Sequence, residues 1–161
     1  MADTETMKGL DGVLAKLKSL PPAVVSQRGG PVKTALRKGG VVIQKAAQSQ
    51  IRRVTQNTEE AGYESTLTLE KAVVVRRDPN PQRSGANERY RVLVSRKKYD
   101  GRDTKAIATG RYLEIGTEQQ PAEPWMTPAY MSARQKALDT TVSELGKGID
   151  RIVKKLEQGG K

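Results

Sequence analysis

The C-terminal third of the chain carries an apolar pattern that restricts the fold more than any other feature. Thr127 is a candidate N-cap and Pro128 a candidate first residue for a helix that would run to Glu157. Such a helix would be about 45 Å long at 1.5 Å per residue. Apolar residues at steps of four and three lie along one helix face, and here they form what we call the C-terminal seam: Leu138, Val142, Leu145, Ile149, Ile152 and Leu156. Because a small sheet cannot cover this length, we expect the seam to be both core and assembly surface.

Two further helices are predicted in the N-terminal half. Met7, Leu10, Leu14 and Leu17 follow helical spacing, and Pro21-Pro22 ends that pattern. Pro31 suits the first turn of a second helix. The apolar face of this second helix consists of Val32, Leu36, Ile43, Ala47, Ile51 and Val54. Gly39 and Gly40 interrupt it at a cost of about 1 kcal/mol each relative to alanine, so we expect a bend or break there.

The middle of the chain is typical of β-structure. The run from Ala72 to Val75 contains three successive β-branched valines. In the run from Tyr90 to Ser95, Tyr90, Val92 and Val94 alternate with Arg91, Leu93 and Ser95, as in a half-buried strand. These two runs predict two antiparallel strands. Residues 77–88 and 96–111 are polar and basic, so they are predicted to be long mobile loops. Residues 1–6 and 158–161 are predicted to be flexible ends of a single α+β domain spanning residues 1–161.

The composition excludes most common enzyme designs. The chain has no cysteine and no histidine, which excludes disulfides, thiolate nucleophiles, the usual zinc sites and imidazole bases. Glu114 is a conceivable catalytic carboxylate, but no motif positions a second acid beside it. The stretch from Gly110 to Thr117 lacks the glycine spacing of a phosphate-binding loop. We therefore predict no enzymatic activity, no catalytic residue, no cofactor site and no metal site.

Positive charge is concentrated in the middle of the chain. The net charge is +11, and residues 71–111 contribute twelve basic against four acidic side chains. The most prominent of these basic residues are Arg76, Arg77, Arg89, Arg91, Arg96, Lys97, Lys98, Arg102 and Lys105. These residues either form a solvated surface whose charge keeps the protein soluble, or contact a polyanion, most simply the phosphates of a nucleic acid. With so few aromatic residues nearby, sequence-specific DNA recognition is not expected.

The apolar content is low for a chain of 161 residues. Hydrophobic residues make up 35% and aromatic residues 4%, with no phenylalanine. Val, Leu, Ile and Ala must therefore form the core, and we expect part of the chain to be buried only against other subunits. No apolar stretch approaches the roughly 20 residues of a membrane span. Residues 1–6 also lack the features of a secretory signal, so we expect a protein made in a cytoplasm that contacts no membrane.

One segment resembles a known family. Tyr112-Leu113-Glu114-Ile115-Gly116-Thr117 is followed by a short proline-bearing loop and by Pro124-Trp125-Met126-Thr127-Pro128-Ala129. This order is similar to the "Y..EfGT....a.PFm.PA" pattern of the tail-completion or neck proteins of long-tailed, lambda-like bacteriophages. The family usually has Phe where Ile115 and Trp125 stand, and both replacements keep an apolar side chain. We call residues 112–129 the family motif. Its candidate residues are Tyr112, Glu114, Gly116, Thr117, Pro124, Trp125, Met126, Pro128 and Ala129.

The resemblance implies a structural role in the virion. Proteins of this family sit in the neck or at the head-proximal end of the tail, so the resemblance implies a hexameric ring through which genomic DNA passes. It also implies contacts with tail-terminator and with head-closure or tail-tube proteins, and assembly in the host cytoplasm. The motif residues would then be kept for shape, with Gly116 following a short strand and Trp125 anchoring the C-terminal helix.

A second hypothesis uses the charge directly. A non-specific nucleic-acid-binding protein, of the nucleoid or RNA-binding type, would use the basic segment of residues 71–111 to bind phosphates. The charge supports this hypothesis, whereas the family motif does not. Neighbouring reading frames for a portal, a head-closure protein and a tail tube would favour the virion hypothesis over this one.

Overall fold

The computed structural model describes residues 12, 15, 30–59, 67–99 and 105–159. The elements in chain order are α1 (Pro31–Glu59), α2 (Thr68–Ala72), β1 (Val73–Arg77), a 3-10 turn (Pro81–Ser84), β2 (Tyr90–Val94), α3 (Ala106–Ile115) and α4 (Met126–Gly159). Strands β1 and β2 form a two-stranded antiparallel sheet. The predicted α+β class, with a small antiparallel sheet and a long C-terminal helix, is confirmed.

Helices α1 and α4 form the main packing contact and run antiparallel. Gly39 of α1 lies beside Ala137 and Thr141 of α4, and Pro31 at the start of α1 lies beside Gly148. Both helices bury residues at steps of four or multiples of four, and about half of these residues are alanine or glycine. They are Pro31, Ala35, Gly39, Ala47 and Ile51 on α1, and Ala129, Ala133, Ala137, Leu145 and Ile149 on α4. Small side chains let two helix backbones approach closely, which explains how a chain without phenylalanine closes a core.

Helix α1 continues through Gly39 and Gly40, so of the predicted bend or break the break does not occur. A Cβ at Gly39 would lie 2.0 Å from the Thr141 hydroxyl oxygen, and a Cβ at Gly40 would lie 2.8 Å from Cγ1 of Val75. The two glycines therefore let α4 approach on one side and β1 on the other. The cost of glycine in the helix is offset by tertiary packing, which commonly overrides intrinsic propensity.

The sheet packs against α1 and completes the larger core cluster. Val73 pairs with Val94 and Arg77 with Tyr90 in the antiparallel register. The Gln44 side chain of α1 donates a hydrogen bond to the Val73 carbonyl oxygen at 2.7 Å. This cluster buries residues from every helix and from β1, namely Ala47, Ile51, Leu69, Ala72, Val73, Ala106, Trp125 and Ala129. A second, smaller cluster joins Ala35 to Leu145 and Ile149.

Three local predictions were wrong. The predicted loop of residues 96–111 contains the first part of helix α3, since Ala106 begins that helix. Tyr112 to Ile115 form the end of α3 and not a strand before Gly116. Helix α4 begins at Met126, so Thr127 is not its N-cap and Pro128 is not its first residue.

Several predictions concern segments for which little is described. Residues 1–6 and most of the predicted helix at Met7 to Leu20 lie outside the described residues, but Gly12 and Ala15 are helical and exposed. The connection at residues 77–88 contains the 3-10 turn, and its predicted mobility stays a prediction. Helix α4 continues to Gly159, while residues 160–161 lie outside the described part. In the part of the chain that is described, no helix is long and apolar enough to cross a membrane.

Candidate functional site

Glu114 connects the end of helix α3 to the beginning of helix α4. Its carboxylate accepts hydrogen bonds from the backbone N–H groups of Trp125 at 2.8 Å, Met126 at 2.7 Å and Thr127 at 2.9 Å. It also accepts one from the Thr127 hydroxyl. The first N–H groups of a helix have no partner within the helix and carry partial positive charge. A carboxylate contributed from eleven residues earlier therefore caps α4, which is why Thr127 is not needed as the cap.

The hydrogen bonds at this cap favour the charged form of Glu114. Partial burial raises the pKa of Glu114, but the Thr127 hydroxyl and the three backbone N–H groups together outweigh it. The pKa of Glu114 therefore lies below the ordinary glutamate value. The side chain is an anionic acceptor at neutral pH, occupied by donors from α4. This arrangement stabilises a helix end and presents no free carboxylate for proton transfer.

Trp125 fixes the same corner from the apolar side. The side chain is 2% exposed, and its indole N–H donates a hydrogen bond to the Gly110 carbonyl oxygen at 2.9 Å. A Cβ at Gly110 would lie 3.2 Å from both the indole ring and Leu69, so a larger residue would crowd this site. Because buried Trp needs a partner for its N–H, the glycine carbonyl completes the site. Trp125 thereby joins α3 and α4 to the larger core cluster.

The loop between α3 and α4 is shaped by its own hydrogen bonds. Gly116 has φ 75°, and a Cβ there would lie 2.9 Å from the Ala122 nitrogen. Only glycine combines that backbone conformation with so close an approach. The Thr117 hydroxyl accepts hydrogen bonds from the N–H groups of Gln119 at 3.3 Å and Gln120 at 3.1 Å. We call this unit, from Gly110 to Ala129, the α3–α4 corner.

The family motif therefore divides into inner and outer residues. Glu114, Gly116, Thr117 and Trp125 make the contacts described above, and Ala129 is fully buried. Met126 and Pro128 are half-buried, while Tyr112 and Pro124 are exposed. Among the residues that the structure describes, no acidic cluster could hold a metal ion. The inner residues have roles in shape, Met126 packs against the larger core cluster, and Tyr112 and Pro124 are open to solvent.

The basic middle segment is organised around two acidic side chains. Glu88 forms a bidentate pair with Arg77, at 2.8 and 2.7 Å, and an ion pair with Lys33 of α1 at 3.4 Å. The hydrogen bond from Arg77 is the largest cause of the lowered pKa of Glu88. These pairs attach the connection between the strands to α1.

Asp78 is the second organising acid. It is buried, and its carboxylate accepts a hydrogen bond from the Asn80 N–H at 3.1 Å. The same carboxylate lies 3.5 Å from Nε of Arg91 and 3.9 Å from Nη1 of Arg89. Three of the predicted polyanion-binding arginines, Arg77, Arg89 and Arg91, thus have acidic partners within the chain.

The other predicted basic residues differ from those three. Arg76 lies opposite Arg91 in the strand ladder, and both are exposed. Lys98 and Lys105 are exposed and linked by an isolated β-bridge, and Arg102 lies outside the described residues. Four exposed members of the predicted basic set have no acidic partner within the described part of the chain: Arg76, Arg96, Lys97 and Lys105. We call these four the unpaired basic group.

The C-terminal seam is placed only partly as predicted. Leu145 and Ile149 are buried against α1, whereas Leu138, Val142 and Ile152 are half-buried. The side chain of Leu156 lies outside the described residues. Sequence reasoning gave Ala129 as a motif residue but missed Ala133 and Ala137, which continue the same buried stripe of α4. The signal was present as a constant step of four, but a search for large apolar residues overlooks alanine.

Comparison of the chain with protein-family models, with curated protein sequences and with solved structures found no match. The resemblance to tail-completion proteins is accordingly carried by the sequence, chiefly by the family motif. Its residues form one contiguous unit, the α3–α4 corner.

Proposed function

We propose that this protein is a bacteriophage virion structural protein, a tail-completion or neck component that forms a ring at the head–tail junction. The observation that carries the proposal is the family motif, because its residues meet in one corner whose contacts fix the direction of α4. A motif that serves shape suits a scaffold protein better than an enzyme. By resemblance, the ring would be hexameric, would contact tail-terminator and head-closure or tail-tube proteins, and would let genomic DNA pass.

The outer face of α3 is the surface that we assign to the neighbouring ring subunit. Ile107, Tyr112 and Ile115 lie on this face, and Ile115 is 62% exposed. Large apolar side chains that share an exposed helix face are characteristic of protein contacts. A ring needs a heterologous contact between two different surfaces, and this face supplies one of them.

The assembly state of the full chain tests this proposal. We expect ring-shaped particles in electron micrographs and a multimeric mass in native mass spectrometry. Ile115→Asp should remove the rings while leaving the circular dichroism spectrum and melting temperature unchanged, because the side chain contributes little to the core. Ser143→Asp, on an exposed part of α4, is the matched control and should assemble normally. A chain that is monomeric at all concentrations, and that adds to neither purified tails nor heads, would contradict the proposal.

Non-specific nucleic acid binding is the second candidate function. The unpaired basic group favours it, because these side chains have no acidic partner that must be displaced by a phosphate. This candidate predicts binding to random duplex DNA by the monomer, with no requirement for assembly. Binding that survives Ile115→Asp at full affinity, in a chain that never forms rings, would favour it over the virion role.

A further inference from the structure

The end of helix α4 extends beyond the beginning of helix α1. Pro31, the first residue of α1, lies against Gly148, where an added Cβ would be 2.5 Å from the Pro31 Cβ. From that point α1 runs toward the N-terminal end of α4, while α4 continues in the other direction to Gly159. At 1.5 Å per residue, the residues after Gly148 extend about 16 Å further. Helix α1 therefore cannot cover the last turns of α4.

These last turns carry apolar side chains. Ile149 is fully buried beside the start of α1, Ile152 is half-buried, and Val153 is 37% exposed. Leu156 continues the same spacing in the sequence. A short helical extension with an apolar face is marginal in water without a packing partner. The end of α4 thus needs a cover that α1 does not provide.

The chain before α1 has the length and pattern of such a cover. The residues at Met7, Leu10, Leu14 and Leu17 predict an amphipathic helix, which would be about 21 Å long over residues 7–20. Residues 21–30 connect it to Pro31 and can span about 33 Å when extended. The predicted helix can therefore reach every turn of α4 after Gly148.

Two described residues report on the orientation of this segment. Gly12 and Ala15 are both helical and both exposed, and nothing lies within 4 Å of a Cβ built at Gly12. At 100° per residue, Gly12 lies about 180° and Ala15 about 120° from the centre of the face formed by Met7, Leu10, Leu14 and Leu17. A helix docked by its leucines would leave both described positions in water, as they are here.

We propose that residues 7–20 dock their apolar face onto the end of α4 in the same chain, over Ile152 and Val153. The occupant is the chain's own segment because only ten residues join it to α1, and a short linker gives an effective concentration of order millimolar. A second copy would have to compete with that local concentration. The docked segment completes a three-helix contact at the C-terminal end of α4.

Cross-linking of engineered cysteines tests the proposal, and the cysteine-free chain supplies a clean background. The full chain carrying Leu14→Cys and Val153→Cys is treated with a short bis-maleimide. We expect an internally cross-linked monomer in high yield. The matched control carries Ala15→Cys and Val153→Cys and should give a several-fold lower yield, because Ala15 faces water. Equal yields from the two variants would overturn the proposed orientation.

A mixture of the two single-cysteine variants separates the two occupants. Leu14→Cys chains mixed with Val153→Cys chains should give no cross-linked dimer if the contact lies within one chain. A dimer formed in high yield from the mixture would mean that a second copy covers the end of α4, and would overturn the proposal.

Thermal unfolding gives a readout that does not depend on cross-linking. Leu14→Asp should lower the melting temperature of the full chain, whereas Ala15→Asp should not. In a Val153→Asp background, Leu14→Asp should lower the melting temperature by less than half as much as in the wild-type background. The reason is that substitutions of two contacting residues do not have additive effects. Full additivity of the two substitutions would show that the two positions do not meet.

Discussion

The two ends of helix α4 are held in different ways. At the N-terminal end, Glu114 caps the first backbone N–H groups and Trp125 is buried with its indole N–H bonded to Gly110. At the C-terminal end, the helix passes Pro31 and continues with no part of α1 beside it. The first end is fixed by polar contacts in defined directions, whereas the buried Ile149 makes an apolar contact near the second.

This difference shows where specificity and stability come from in a chain with few large apolar residues. Directional hydrogen bonds to a helix end determine where the helix starts and how it leaves the corner. Apolar packing contributes in proportion to the area covered, so the end of α4 beyond Pro31 gains little from α1. We therefore expect substitutions at the two ends to differ in size and in kind.

The largest effect is expected at Trp125. Trp125→Ala removes the most buried large side chain of the α3–α4 corner and the partner of the Gly110 carbonyl. It should lower the free energy of unfolding by about 3 to 5 kcal/mol. Urea unfolding followed by circular dichroism measures this loss.

Tyr130→Ala is the control for Trp125→Ala, because Tyr130 is an aromatic residue of the same helix that is half exposed. Its effect should stay within about 0.5 kcal/mol. Equal losses from the two variants would show that the corner is no more important than any other surface of α4. Trp fluorescence typical of full exposure in the folded chain would contradict the burial itself.

The next largest effect is expected at the cap. Glu114→Ala removes the acceptor of the first α4 N–H groups, and loss of a helix cap typically costs about 0.5 to 2 kcal/mol. Because the pKa of Glu114 is lower in the folded chain, this contribution is complete at neutral pH. It is lost as the pH falls through the folded-state pKa.

Glu114→Gln sharpens the same prediction. The amide keeps an oxygen acceptor but cannot ionise. The stability of the Glu114→Gln variant should therefore change less between neutral and acidic pH than that of the wild-type chain. Chemical unfolding at several pH values measures the difference. An unchanged pH dependence in Glu114→Gln would mean that the carboxylate does not act as the cap. No catalytic activity is expected to be lost in either variant.

A pair of glycines tests the C-terminal half of α4 with smaller effects of opposite sign. A Cβ at Gly146 meets nothing within 4 Å, whereas one at Gly148 would lie 2.5 Å from Pro31. Gly146→Ala should raise the free energy of unfolding by about 0.5 to 1 kcal/mol through helix propensity. Gly148→Ala should lower it by about 1 kcal/mol or more through overpacking. If both variants are stabilised, Pro31 does not lie against α4 as described.

The fold class, the strands and the long C-terminal helix could be predicted because each depends on local periodicity. The paired β-branched runs and the seam at Leu138 to Leu156 needed no knowledge of distant contacts. The continuity of α1 through Gly39 and Gly40 could not be predicted in this way. It depends on the close approach of Thr141 and Val75, which are far away in the sequence.

The candidate site was predictable in its residues but not in its geometry. The family motif picked out Glu114 and Trp125, yet the sequence placed Glu114 at the end of a strand and assigned the cap to Thr127. A cap contributed from eleven residues earlier leaves no local signal, because its partners are backbone groups common to any helix. Similarly, charge counting grouped all basic residues of the middle segment, whereas burial of Asp78 and pairing of Glu88 separate them.

Substitutions in the unpaired basic group are expected to have the smallest effect on stability. They are also the most informative about function. Replacing Arg76, Arg96 and Lys97 together by Gln should leave the melting temperature nearly unchanged, since all three are exposed and surface charges contribute little. If these side chains contact phosphates, binding to random duplex DNA should be weak, independent of base composition and steeply salt-dependent. Each lost contact should reduce the log–log salt slope by about 0.9.

Arg77, Arg89 and Arg91 form the matched control set, because their charges already have acidic partners. Their replacement should change the slope less. If the Arg76, Arg96 and Lys97 variant binds DNA like the wild-type chain but fails to join tails, these residues face an acidic neighbouring protein ring, as electrostatic complementarity equally allows.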